Sequence, residues 1–243
     1  MTTVTLSPTV VRLGTRSVFG HKRGILLFLL PLVLIGLATL IRGLAGQDPR
    51  IAVNVLTGLG LTVVVPLVAL LATTGLLAPE IDDGSIAYLL SKPISRHTIV
   101  LSKLLVALGC VVAFAVVPMY VAALILYTDV PGLALAFAAG SLAGGAAYCA
   151  LFAFLSVLTR HAVVIGLLYL LVWEGLLGGL LDGVRWLSVT RWARAITEEV
   201  SPGFDVVENL GATYAVIATL VVVVIGTYFT GRRLRAFNLT GDE

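Results

Sequence analysis

An all-α membrane protein of six spans is the fold class this sequence predicts, and three observations predict it. Hydrophobic residues fill 59% of the 243 positions and charged ones 12%, against roughly a quarter charged in an ordinary soluble domain. Mean hydropathy is +1.07, and so little charge cannot cover a water-facing surface. The apolar residues also fall in long unbroken blocks, and the basic residues gather at every second gap between those blocks.

A helix needs roughly 20 apolar residues to cross about 30 Å of hydrocarbon, since each residue rises about 1.5 Å. Six blocks meet that need: Gly24 to Ile41, Ile51 to Leu77, Leu104 to Leu126, Gly132 to Leu158, Val163 to Leu181, and Ala212 to Thr230. The whole chain, 1–243, reads as one transmembrane domain. A polar and basic leader of 23 residues precedes the first block, and no small-residue cleavage site follows it, which argues against a cleaved signal peptide.

Eleven of the 16 basic residues flank alternate blocks: Arg12, Arg16, Lys22 and Arg23 in the leader, Lys92, Arg96 and Lys103 in the second loop, Arg160 in the fourth, and Arg232, Arg233 and Arg235 in the tail. Positive charge marks the cytoplasmic side of a membrane helix, so both termini are expected inside. The opposite loops hold Arg42, Arg50, Arg185, Arg191 and Arg194, and the longest of them, Asp182 to Gly211, is acidic on balance. The sequence pI near 9.0 therefore reflects orientation in the membrane. No basic stripe with interleaved aromatics suggests a nucleic-acid partner.

Within the blocks, Pro31, Pro66 and Pro118 each remove a backbone donor and are expected to bend their helices. Gly140 and Gly144 form a small-xxx-small pair that invites close approach of another helix, within the chain or from a second copy. Cys110 and Cys149 sit deep in apolar blocks without metal-ligand spacing and read as packing residues.

Glu174 stands mid-way along the fifth block, where a carboxylate must be paired, hydrated or protonated. It is either a group on a transport path or a structural acid held by a neighbouring helix. In the segment 182–211, Trp186 and Trp192 among Arg185, Arg191 and Arg194 suggest an interfacial or re-entrant helix ending at Pro202-Gly203. Those tryptophans are either an external gate or membrane anchors. In the leader, Val10, Val11, Leu13, Val18 and Phe19 alternate with Arg12, Arg16 and Lys22, as in an amphipathic arm on the inner leaflet, meeting either anionic lipid or a cytosolic protein.

The loop between the second and third blocks departs most from simple membrane patterning. Glu80, Asp82 and Asp83 open it, favourable near a helix N-terminus. Ile86, Leu89 and Leu90 recur at helical spacing, so a short amphipathic helix should present one apolar face until Pro93 ends it. Such a helix is a solvated turn or a docking element for a cytosolic partner.

Glu80, Gly84, the run Leu89-Leu90-Ser91-Lys92-Pro93-Ile94-Ser95-Arg96, and Lys103 at the start of a span resemble the signature loop of ABC-2-type transporter permeases of the type V exporter plan. The six-span layout, the basic N-terminal arm, the long loop before the last span and the Trp173-Glu174-Gly175 step extend the resemblance over nearly the whole chain. Ser102 departs mildly, since many members carry glycine or alanine before the lysine. The resemblance implies that residues 80–103 couple to a cytosolic ABC ATPase, through Glu80, Asp83, Gly84, Ile86, Leu89, Leu90, Pro93 and Arg96. It also implies a homodimer or heterodimer of permeases in the cytoplasmic membrane of a bacterium or archaeon. The chain has no G-x-x-x-x-G-K-[ST] phosphate loop, so ATP and Mg are expected on the partner and no cofactor on this chain.

Rival functions leave weaker marks. An intramembrane enzyme lacks support: there is no H-E-x-x-H run, Gly203 stands where the Glu198-Glu199 pair would need an arginine, and His21, His97 and His161 are far apart. An ion-coupled carrier usually places several ionisable groups mid-membrane or repeats a half-unit. A membrane anchor for a cytosolic partner would carry the same docking loop.

Overall fold

A computed structural model describes residues 22–82, 96–128, 131–159, 161–178, 183–201 and 210–236. The N-terminal arm and most of the loop between the second and third spans lie outside these residues. The described chain is helical, as the apolar blocks require. Helix α1 covers Lys22–Ala45; α2 (Pro49–Val55) runs through a π-helical stretch, Leu56–Val64, into α3 (Val65–Asp82). Helix α4 (Arg96–Val111) likewise continues through a π-helical stretch, Val112–Val116, into α5 (Val117–Leu126). Then follow α6 (Pro131–Leu158), α7 (Ala162–Leu168) with the π-helical stretch Tyr169–Leu177, α8 (Val189–Val200) and α9 (Ala212–Ala236).

Five of these runs are long and apolar enough to cross a membrane: Gly24–Ala45, Pro49–Leu76, Val100–Leu126, Gly132–Leu158 and Ala212–Arg233. The fifth block behaves differently. Its apolar helix, Ala162–Leu177, falls short of that length among the described residues, whereas the sequence predicts a span over 163–181. Its π-helical half carries Glu174 and Gly175.

Helix α6 is the centre of the bundle, with α3, α4, α5, α8 and α9 packed around it and α1 set against α5. Its Phe137, Tyr148 and Phe152 are wholly enclosed. By contrast, α1 and α9 turn most of their surface outward, including Leu32, Leu40, Leu44, Leu220 and Val224. In a soluble protein such a surface would drive aggregation; against acyl chains it is the expected solvent contact.

Two of the three prolines adjoin a local change of helix type. Pro66 and Pro118 each stand in the first turn after a π-helical stretch. A proline cannot bond the carbonyl one turn back and its ring crowds that carbonyl, so the preceding turn widens. Pro31 is accommodated inside α1.

Helix ends are closed by neighbours. Asp48 accepts from the backbone N–H of Arg50 (2.9 Å) and Ile51 (3.4 Å) at the start of α2, and Arg42 donates to the Leu126 carbonyl (3.4 Å) at the end of α5. These contacts bring the ends of α1 and α5 and the start of α2 to one side of the bundle.

Glycines set two close crossings of different stiffness. A Cβ at Gly60 would meet the end of the Met119 side chain, whose Sδ lies 2.6 Å away; at Gly226 it would meet the Ala150 backbone oxygen at 3.0 Å. Methionine can swing aside and a helix backbone cannot. Gly60→Ala is therefore expected to cost about 1 kcal/mol or less and Gly226→Ala about 1–3 kcal/mol, read from thermal unfolding of the purified variants.

Candidate functional site

Several polar side chains from different helices meet on α8: Tyr148, Glu174 and Thr62. Helix α8 is amphipathic and charged, with Arg191, Arg194, Glu198 and Glu199 in twelve residues, yet Val189, Thr190, Trp192, Ala193, Ala195 and Thr197 are all buried. It lies along α6, antiparallel to it: Thr190 at its start meets Tyr148 (Oγ1 to OH, 2.8 Å), while Ala193 and Thr197 further on meet Gly140. A Cβ on Gly140 would fall 2.5 Å from the Ala193 carbonyl oxygen and onto Thr197 Oγ1; one on Gly144 would fall 3.0 Å from the Ala193 Cβ. The small-xxx-small pair is thus the groove that seats α8, an approach within the chain.

A helix that begins inside an apolar bundle must find acceptors for its first N–H groups. Glu174 supplies them. Its Oε1 accepts from the Val189 N–H (2.9 Å) and the Tyr169 hydroxyl (3.4 Å), and its Oε2 accepts from the Ser188 hydroxyl (2.5 Å) and the Thr190 N–H (3.4 Å). Ser188 is the N-cap, and its oxygen accepts in turn from the Arg191 N–H at 3.3 Å. The carboxylate stands at the positive end of the α8 dipole, where negative charge is stabilised.

The return contact has the opposite sign. Arg191 donates through Nη2 to the Gly178 carbonyl (3.0 Å), which closes the end of the π-helical stretch bearing Glu174. Each of the two helices therefore caps the other, anion on N-terminus and cation on C-terminus. An aromatic row flanks this clasp: Tyr148 stacks on Phe152 (5.7 Å), Phe152 meets Tyr169 edge-on (6.4 Å), and Tyr169 stacks on Trp173 (6.4 Å).

The two tryptophans named from sequence differ in placement. Trp192 is 4% exposed and donates its ring N–H to the Trp186 carbonyl (2.9 Å); Trp186 is 50% exposed and meets Tyr214 edge-on (5.2 Å), whose hydroxyl donates to the same carbonyl (2.9 Å). Together they tie the turn before α8 to the start of α9. Arg194 reaches another element altogether, donating through Nη2 to Thr62 Oγ1 (2.9 Å) in the π-helical stretch of the second span.

Of the residues expected from the sequence to meet an ATPase, Glu80 falls in the last turn of α3 and Arg96 opens α4. Asp83, Gly84, Ile86, Leu89, Leu90 and Pro93 lie outside the described residues. Lys103 is buried and donates to the Leu76 carbonyl (3.3 Å), stapling α4 to α3. Hydrogen bonds from a charged donor contribute about 1.5–3 kcal/mol. Lys103→Met, which keeps the apolar stem, is expected to lower unfolding free energy by about that amount in detergent-solubilised protein.

Glu174 stands out in the sequence, while the donors around it do not. Ser188 and Thr190 carry a cap signature readable in hindsight, a serine directly before an apolar-periodic run. Nothing in the sequence pairs Arg194 with Thr62, 132 positions away. Cys110 and Cys149 are free and buried, as packing residues. Among the described residues no cluster of His, Cys, Asp and Glu could hold a metal ion.

The family model described as ABC-2 family transporter protein matches residues 22–234. That stretch runs from the first turn of α1 into the last turns of α9. No curated protein matches the chain.

Proposed function

The chain belongs to the ABC-2 family of transporter proteins, and from that premise we propose that it is a permease that exports or flips its substrate across the cytoplasmic membrane, driven by ATP hydrolysed on a separate cytosolic subunit. The observation that carries this reading is the extent of the family match, which takes in every described helix. The chain has no phosphate loop of its own, so ATP and Mg belong to the partner. Two permeases, identical or paralogous, would face two ATPase subunits.

The distribution of lysine and arginine supports termini on the cytoplasmic side. In that orientation α8 dips into the bundle from the external side, and the loop after α3 meets the ATPase. Closure of the ATPase pair on nucleotide would shift the loop, and with it the second and third spans, between inward-open and outward-open states. The apolar interior suits amphipathic or lipid-linked cargo.

An ion-coupled carrier is the weaker reading. Such a carrier needs an ionisable group open to its pathway, and four donors already engage Glu174. This favours the structural over the transport role for that carboxylate.

The coupling assignment is tested by replacing Ile86, Leu89 and Leu90 together with serine or asparagine. The permease should still insert and elute as a folded species, while recovery of its ATPase on the same affinity column drops several-fold. Undiminished recovery would remove that apolar face as the contact.

A further inference from the structure

Threonine and serine hydroxyls inside these helices mostly return to the carbonyl four residues back: Thr74 to Leu70, Ser156 to Phe152, Thr197 to Ala193, Thr227 to Val223 and Thr230 to Gly226. Thr62 does not. Its hydroxyl donates to the Thr57 carbonyl, five residues back, at 2.9 Å, the spacing of the π-helical stretch it occupies. The same hydroxyl oxygen accepts the Arg194 guanidinium of α8 at 2.9 Å. The position of that acceptor is therefore set by the local register of the second span. In α-helical register the carbonyl within reach of that hydroxyl would instead be that of Gly58, four residues back.

Three features make this stretch the place where the second span can change register. Pro66, just beyond it, has a ring that crowds the carbonyl four residues back, that of Thr62, which disfavours the α-helical register there. Gly58 has open space where a Cβ would be, and the neighbour of Gly60 is a flexible methionine end. The span beyond, α3, leads into the coupling loop at Asp82. At its far side α8 is held to the fifth helix by Glu174 and Arg191, and to α6 by Tyr148 and the glycine groove.

We propose that Arg194 and Thr62 form a positioning contact that makes α8 follow the second span, so that a displacement begun at the coupling loop reaches the external helix. The inference rests on the permease reading above. The second span is then the moving element, its π-helical stretch the hinge, and Arg194 the link from hinge to outer helix. Neither residue touches substrate in this account; both set where α8 sits.

The test uses the full chain assembled with its ATPase in nanodiscs, with Cys110 and Cys149 replaced by alanine. Spin labels go on Leu44, at the end of α1, and Glu199, on the outer turn of α8, both exposed. The Leu44–Glu199 distance distribution is measured by electron paramagnetic resonance without nucleotide and with ATP trapped. The parental chain should shift between the two conditions. In Thr62→Val the shift should fall below half of the parental value while ATP hydrolysis by the complex continues, and Thr62→Ser, which keeps the hydroxyl, should restore it. Arg194→Gln should reproduce the valine phenotype.

A full-sized shift in both Thr62→Val and Arg194→Gln overturns the proposed link and leaves the permease reading standing. No nucleotide-dependent shift in a parental complex that hydrolyses ATP overturns the link as well. Failure of the parental chain to assemble with any ATPase overturns the permease reading and the inference with it.

Discussion

Glu174→Ala is expected to unseat α8 and to be the most damaging single substitution within the short fifth helix. The side chain accepts from the Val189 and Thr190 N–H groups and from the Ser188 and Tyr169 hydroxyls. Alanine leaves all four donors in a bundle interior that water does not readily replace, at about 1–3 kcal/mol for each group left fully unsatisfied. The site is half-buried, so partial rehydration holds the expected total to about 2–5 kcal/mol. Glu174→Gln keeps one acceptor and the side-chain shape but loses the charge at the α8 N-terminus, worth up to about 2 kcal/mol in partly buried geometry. Thermal unfolding should rank the proteins wild type, glutamine, alanine. Hydrogen exchange should rise across residues 189–200 in the alanine variant before it rises elsewhere. A glutamine variant as stable as wild type but selectively defective in transport would move Glu174 onto the substrate path.

Gly140→Val is the second large effect. Even the Cβ of alanine would fall 2.5 Å from the Ala193 carbonyl oxygen and onto Thr197 Oγ1, and neither a helix backbone nor a threonine bonded to that same carbonyl at 2.9 Å can retreat cheaply. Overpacking of this kind costs about 1–3 kcal/mol and occasionally more. Valine adds two methyl groups to the clash, so α8 must lift from α6 altogether. Gly144→Ala is the internal comparison, because its Cβ would meet a side-chain Cβ at 3.0 Å. The expected order of destabilisation is Gly140→Val, then Gly140→Ala, then Gly144→Ala, measured by thermal unfolding. Equal stability of all three would show that α8 does not sit in this groove.

The long spans were legible because a bilayer imposes one length and one polarity on every helix that crosses it, and five apolar blocks meet both. The fifth block was less so. Hydropathy alone carries it from Val163 to Leu181, and it does not announce the π-helical stretch that begins at Tyr169 and carries Glu174 and Gly175. Trp186, Trp192 and the arginines around them announce an interfacial or re-entrant helix. What composition does not reveal is that Trp192 turns inward and that Arg191 and Arg194 are bonded to Gly178 and Thr62. Charge in a loop looks alike whether water, lipid headgroups or a distant helix satisfies it. The Gly140-Gly144 spacing told of a close approach without naming the partner, because any helix with small residues fits such a groove. Likewise Pro66 and Pro118 signal distortion, while its form, a π-helical turn upstream of each, depends on packing around them.

The central claim is that this permease couples to ATP hydrolysed by a separate subunit. It is tested most directly by co-expressing the chain with each candidate ABC ATPase subunit of its source genome, purifying on a tag carried by the permease, and measuring ATP hydrolysis in lipid nanodiscs. The expected result is a stable complex whose hydrolysis depends on the permease and falls when Ile86, Leu89 and Leu90 are made polar. An ATPase that neither co-elutes with the permease nor changes its rate in the permease's presence would contradict it.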